Sequence, residues 1–168
     1  ILIKTSHDLK NQNSKPKIIL GNHCNTYDYN KKILYDFKIE TTHYWDDYKV
    51  FTKDSKYLEE LYAKLLKKLI KKLNEFHNCK KSDCFWEIIL GPWLIYFCTN
   101  IFDRWKTITN ISQQQNISTE INESLNKFQI PETNEEYRKI LISETYNHYI
   151  YSKILLFLNK YEKSEISF

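Results

Sequence analysis

Phe85 to Trp105 reads FWEIILGPWLIYFCTNIFDRW, and how this stretch folds decides the architecture. It holds three of the four tryptophans, one of only two arginines and the Gly91-Pro92 pair. Ile88 to Ile101 is a run of fourteen residues without a charge. That falls short of the ~20 apolar residues of a membrane-spanning helix and reads as a buried core helix. Proline lacks an N–H and disfavours the helical conformation in the residue before it. The stretch therefore predicts a short helix to about Leu90, a break, and a second helix with Pro92 in its first turn. The rest of the chain is expected to pack around it.

On the N-terminal side, Tyr57 to Phe76 carries Leu58, Leu61, Tyr62, Leu65, Leu66, Leu69, Ile70, Leu73 and Phe76 at spacings of three and four. This is a wide apolar helical stripe, with Lys64, Lys67, Lys68, Lys71 and Lys72 mostly on the other side. Thr52 or Asp54 is placed to cap its start, and Ser82 or Asp83 to cap the next helix. Further upstream, KIIL (17–20) is a β-branched run ending at Gly21, and FKIETTHY (37–44) begins with strand-like alternation. Downstream, 107–130 is rich in Asn, Gln, Ser and Thr and reads as a polar loop. Asn134 to Tyr161 then gives another long helical pattern after Pro131. Two or three short strands with three or four long helices predict a helix-rich α/β fold, with 1–168 as a single domain.

The composition narrows the function. At 168 residues, 42% hydrophobic and 15% aromatic, the chain is long and apolar enough for a proper core. Two glycines and three prolines disfavour Gly-rich phosphate loops and turn-rich β architectures. A net charge of +4, almost all of it lysine, argues against nucleic acid as a partner. The four cysteines, Cys24, Cys79, Cys84 and Cys98, show no CxxC spacing. His77, Cys79 and Cys84 match no common zinc pattern, and no metal ligand set is assigned. Asn110, Asn116 and Asn122 begin N-x-S triplets, read as chance matches in a polar loop. With no signal-peptide pattern the expected location is the cytoplasm. The lysine face gives a weak attraction to anionic lipid and, with it, peripheral contact with the inner membrane. The chain contains no methionine, which leads us to expect a fragment of a longer protein.

Three places could carry chemistry. His43-Tyr44-Trp45-Asp46-Asp47 puts an imidazole and two carboxylates at a strand end, suited to acid–base work. On a persisting strand His43 and Asp47 share a face and Asp46 points the other way. Gly21 and His23 lie in the loop after the first strand, where α/β proteins place binding residues, with Cys24 read as an inert thiol. Arg104 could grip a phosphate or carboxylate, or else pair with an acid or stack on Trp105. Trp45 and Trp93 are candidate stacking surfaces for a substrate, although aromatics such as Trp86, Trp93, Tyr96 and Phe97 more often build core. The candidate catalytic set is His43, Asp46 and Asp47. The candidate substrate-binding set is Gly21, His23, Trp45, Trp93 and Arg104.

Five phrases in fixed order carry a resemblance: KPKIILGNHC (15–24), HYWDD (43–47), YLEELYAKLLKKLIKKLNEFHN (57–78), the opening stretch (85–105) and PETNEEYRKILISETYNHYIYSKIL (131–155). Together they resemble the amino-terminal part of a family of transferases found in bacterial surface-carbohydrate (O-antigen, lipopolysaccharide) gene clusters. GPWL, FDRW and YWDD are the most specific parts. The family phrase after the first strand runs glycine, glutamate, tryptophan, cysteine, and only Gly21 and Cys24 match it. Where the family has an arginine after Trp-Asp-Asp, this chain has Tyr48-Lys49.

The resemblance implies the acceptor-side, Rossmann-like amino-terminal half of a glycosyltransferase-like enzyme with two facing domains (GT-B-like), inactive on its own. It implies a nucleotide-activated sugar donor held mainly by a missing carboxyl-terminal domain, and no cofactor in this part. The partner is a carbohydrate or lipid-linked acceptor, whose hydroxyl would be deprotonated by His43, Asp46 or Asp47. The competing expectation is a non-catalytic helical protein-interaction module.

Overall fold

The computed structural model describes residues 2–3, 17–19, 37–39, 43–114 and 130–158. Helices dominate them: α1 (Tyr48–Phe76, 29 residues), α2 (Asp83–Gln114, 32), α3 (Asn134–Leu141, 8) and α4 (Glu144–Phe157, 14). The strands among the described residues are β1 (Leu2–Ile3), β2 (Lys17–Ile19) and β3 (Phe37–Ile39), paired parallel in that order. The expected Rossmann-like α/β half of a GT-B enzyme is thereby overturned, the described residues being built mainly of helices. Strands of two or three residues are too short to form the helix-covered sheet of a doubly wound domain. By packing, the chain divides into one unit of Tyr44–Asp103 and another of Ile1–His43 with Arg104–Phe168.

The Tyr44–Asp103 unit is an α1–α2 hairpin preceded by a 3₁₀ turn at Tyr44–Asp46. Its core is the predicted leucine stripe: Leu66 and Ile70 are buried against Trp86, Leu94 and Cys98, flanked by Leu58, Tyr62, Leu65, Leu69, Leu90, Trp93 and Phe97. α1 begins nine residues before the predicted Tyr57, at Tyr48, because Asp47 is its N-cap. One Asp47 oxygen accepts from the backbone N–H of Lys49 at 2.8 Å and of Val50 at 3.4 Å. The helix ends at His77, after which Asn78 takes a left-handed conformation (φ 47°), as asparagine does beyond a helix C-terminus. Asn74 ties the turn together. Its side-chain oxygen accepts from the Trp86 indole (2.9 Å), the Lys81 N–H (3.0 Å) and the Cys79 thiol (3.3 Å), while its Nδ2 donates to the Lys81 carbonyl (3.0 Å).

Two predicted interruptions of α2 are absent. The helix runs straight through Pro92, where a break was expected. Part of the clash that proline imposes falls on the Cβ of the residue before it, and Gly91 has none. Gly91 also admits the Tyr62 hydroxyl, which lies 2.8 Å from where a Cβ would stand. α2 then continues to Gln114, through the first part of the expected 107–130 loop, because Ile108 and Ile111 are buried. Residues 115–129 of that loop lie outside the described residues.

In the second unit, the single helix expected from Asn134 is two. α3 is capped by Thr133, whose hydroxyl accepts from Glu136 N–H, while the Glu136 carboxylate accepts from Glu132 N–H at 2.8 Å. It stops at Ile142, and Ser143 caps α4 by accepting from Tyr146 N–H. Eight of the fourteen residues of α4 are buried, polar Asn147, His148 and Ser152 among them.

Candidate functional site

YWDD and the Phe102-Asp103 half of FDRW meet in the Tyr44–Asp103 unit. The strand expected to carry Phe37–Tyr44 ends at Ile39, and Tyr44 to Asp46 form the 3₁₀ turn, so His43 and Asp47 are not set on one strand face. The turn presents Tyr44 and Trp45 to FDRW. The Tyr44 hydroxyl donates to an Asp103 carboxylate oxygen at 3.0 Å. The Trp45 ring stacks on Phe102 with centroids 6.3 Å apart, and Tyr57 closes on Phe102 at 5.5 Å. The Trp45 indole N–H donates to Asp54 at 3.0 Å, and Asp54 is a carboxylate only 4% exposed. Trp45 is thus built into the unit by its N–H and by the Phe102 ring. Asp54 lies inside α1 and does not cap it. Its importance was missed, yet the signal is there: Asp54, Leu58, Leu61 and Leu65 continue the apolar stripe upstream at spacings of four, three and four.

The other expected residues fall as follows. His43 and Asp46 are exposed; Asp47 is exposed and caps α1. Trp93 is half-buried in the hairpin core and stacks on Phe97 at 5.1 Å. Gly21 and His23 lie outside the described residues. Among the described residues no group of three His, Cys, Asp or Glu is placed to hold a metal ion, and Cys79, Cys84 and Cys98 are free thiols.

Arg104 belongs to the second unit and is the centre of its polar interior. Its Nε donates to Asn147 Oδ1 at 3.0 Å, and its guanidinium lies 5.9 Å from the centre of the Tyr151 ring. Asn147 in turn donates from Nδ2 to the carbonyls of Leu141 (3.2 Å) and Ser143 (3.0 Å), which close α3 and open α4. One side chain therefore joins the arginine to the α3–α4 junction. Next to it on α4, His148 and Ser152 are fully buried. Asn147, His148 and Ser152 were missed because the apolar stripe read from this region treats α4 as two-sided, whereas its polar positions are buried too.

Burial sets the alkaline behaviour of this interior. Burial pushes the Tyr146 phenol above its ordinary 10.0, opposed by the Tyr137 hydroxyl and the Arg104 charge and reinforced by Tyr149. Burial likewise raises Cys98 from 9.0, and burial with Glu87 and Cys98 raises Tyr62 from 10.0. Each group stays protonated longer folded than unfolded, so its stabilisation is complete below the unfolded value and is lost as pH rises through the folded one. Melting temperature is expected to fall above about pH 9, and less steeply above about pH 10 in Tyr146→Phe. Parallel curves for wild type and variant would show that Tyr146 does not contribute.

A family model described as LIC12162 family transferase matches residues 1–167. The chain belongs to the LIC12162 family of transferases. No curated protein and no solved structure matches it.

Proposed function

We propose that this transferase is glycosyltransferase-like and acts in bacterial surface-polysaccharide (O-antigen type) synthesis, the described chain serving the acceptor side. The donor in this proposal is a nucleotide-activated sugar held by a further domain, and the acceptor a carbohydrate or lipid-linked carbohydrate. The observation that carries it is the Arg104 arrangement: a guanidinium held at Nε by a neutral amide and faced by Tyr151, an anchor for a phosphate or diphosphate group. Asp46 and His43, both exposed, are the candidates to take a proton from the acceptor hydroxyl. Asp47 has one oxygen committed to two backbone N–H groups and is assigned to folding.

The test is release of nucleoside diphosphate from a panel of nucleotide sugars by the full-length protein, with and without acceptor glycans. Arg104→Gln is expected to lower turnover about 10²-fold, with Arg104→Lys intermediate because it keeps charge without the planar fork. Full turnover in Arg104→Gln with unchanged circular dichroism would remove the arginine from the mechanism. Transfer of some other group, with sugars refused, would replace the substrate class.

A further inference from the structure

The turn end of the α1–α2 hairpin combines two features that the transferase reading leaves unused. The first is charge. From Lys64 to Lys81 there are seven lysines and one acid, Glu75. All seven are exposed, and of these seven only Lys72 has an ion-pair partner among the described residues, Glu75 at 3.0 Å. The second is apolar exposure at the same end. Phe76, in the last turn of α1, is 82% exposed, and Ile88, in the second turn of α2, is 73% exposed. Phe85 and Ile89 are exposed beside it. Lys81 lies over the Phe85 ring at 5.2 Å, an ammonium above an aromatic at the edge of the patch. The hydrogen bonds of Asn74 already fix this end of the hairpin, so little ordering remains to be lost on docking.

We propose that this end of the hairpin docks on an anionic phospholipid surface, with Phe76, Phe85, Ile88 and Ile89 entering the headgroup boundary and Lys71, Lys80 and Lys81 meeting the lipid phosphates. Charge complementarity selects the occupant. A cluster of lysines flanking exposed aromatic and branched apolar side chains fits a surface that is apolar beneath and negative above. Asp83–Ile111 is long and apolar enough to cross a membrane, and 22% of its most apolar window is buried. Its inner side is nonetheless committed to α1 through Trp86, Leu94 and Cys98, which favours lying on the bilayer over crossing it.

The experiment is co-sedimentation of the full-length protein with vesicles of phosphatidylglycerol mixed into phosphatidylcholine, against phosphatidylcholine alone. Binding is expected to the anionic vesicles and to weaken as salt is raised. Lys80→Gln and Lys81→Gln should each weaken it about fivefold. Ile88→Ser with Ile89→Ser, both exposed and so compatible with folding, should weaken it tenfold or more, about the loss for two apolar side chains. Equal binding to both vesicle types, none to either, or full binding by the substituted proteins would overturn the proposal. So would resistance to extraction at high salt and alkaline pH, which would make α2 a membrane span. A dimer in solution that the Ile88→Ser, Ile89→Ser protein loses, without vesicle binding, would assign the face to a second copy instead.

Discussion

Pro92→Ala is expected to raise the stability of the protein by about 3 kcal/mol, the difference between proline and alanine in a helix interior. Pro92 is exposed and lies ten residues into a helix that does not stop for it. Its missing N–H leaves the Ile88 carbonyl without its helical donor, and its ring presses on the same turn. Alanine restores the bond and removes the ring, while Gly91 and the close Tyr62 hydroxyl stay as they are. In urea unfolding the midpoint should move up with the slope unchanged. A midpoint that stays or falls would mean the Pro92 ring makes stabilising contacts that outweigh the lost hydrogen bond. Gly91→Ala is the contrasting case. Its helix-propensity gain of about 1 kcal/mol is opposed by a methyl placed 2.8 Å from the Tyr62 oxygen, so a much smaller change is expected.

Asn147→Leu is expected to destabilise by about 3 to 5 kcal/mol. Leucine keeps the volume but abolishes the bond from Arg104 and the two bonds to the Leu141 and Ser143 carbonyls. Asn147 is 7% exposed, so water replaces these partners poorly. The guanidinium loses an acceptor in a part-buried setting, which costs more than a neutral bond. The check is thermal unfolding of Asn147→Leu beside Asn147→Asp. The aspartate keeps an acceptor for Arg104 but loses the donor to the carbonyls, so it should fall between leucine and wild type. Equal, small losses in both would show that the junction is held by packing alone.

How legible all this was depends on which force set each element. The leucine stripe of α1 could be read because its packing follows one face of a helix, and its lysines fill the opposite face. The start of α1 could not, since the aspartates of HYWDD look the same as caps or as catalytic carboxylates until a backbone N–H is seen to reach Asp47. Local rules placed a break at Pro92 and a loop from residue 107, and both were overridden by packing, as Leu94, Ile108 and Ile111 show. The α/β expectation failed because KIIL and FKIETTHY were weighed as equals of the helices, although the strands they form are three residues each. In the candidate site, Arg104 could be singled out as a rare arginine in an apolar setting. Its partner Asn147 could not, because the contact spans 43 residues and nothing local marks that asparagine.

The distribution of indole rings has a practical consequence. Trp45, Trp86 and Trp93 all lie in the Tyr44–Asp103 unit, and Trp105, edge-on to Phe157 at 5.6 Å, is the single tryptophan of the other. Intrinsic fluorescence is therefore a label that nature has already split between the two. Trp105→Phe leaves emission that reports the hairpin alone, and the wild-type signal minus that emission reports the Arg104 side.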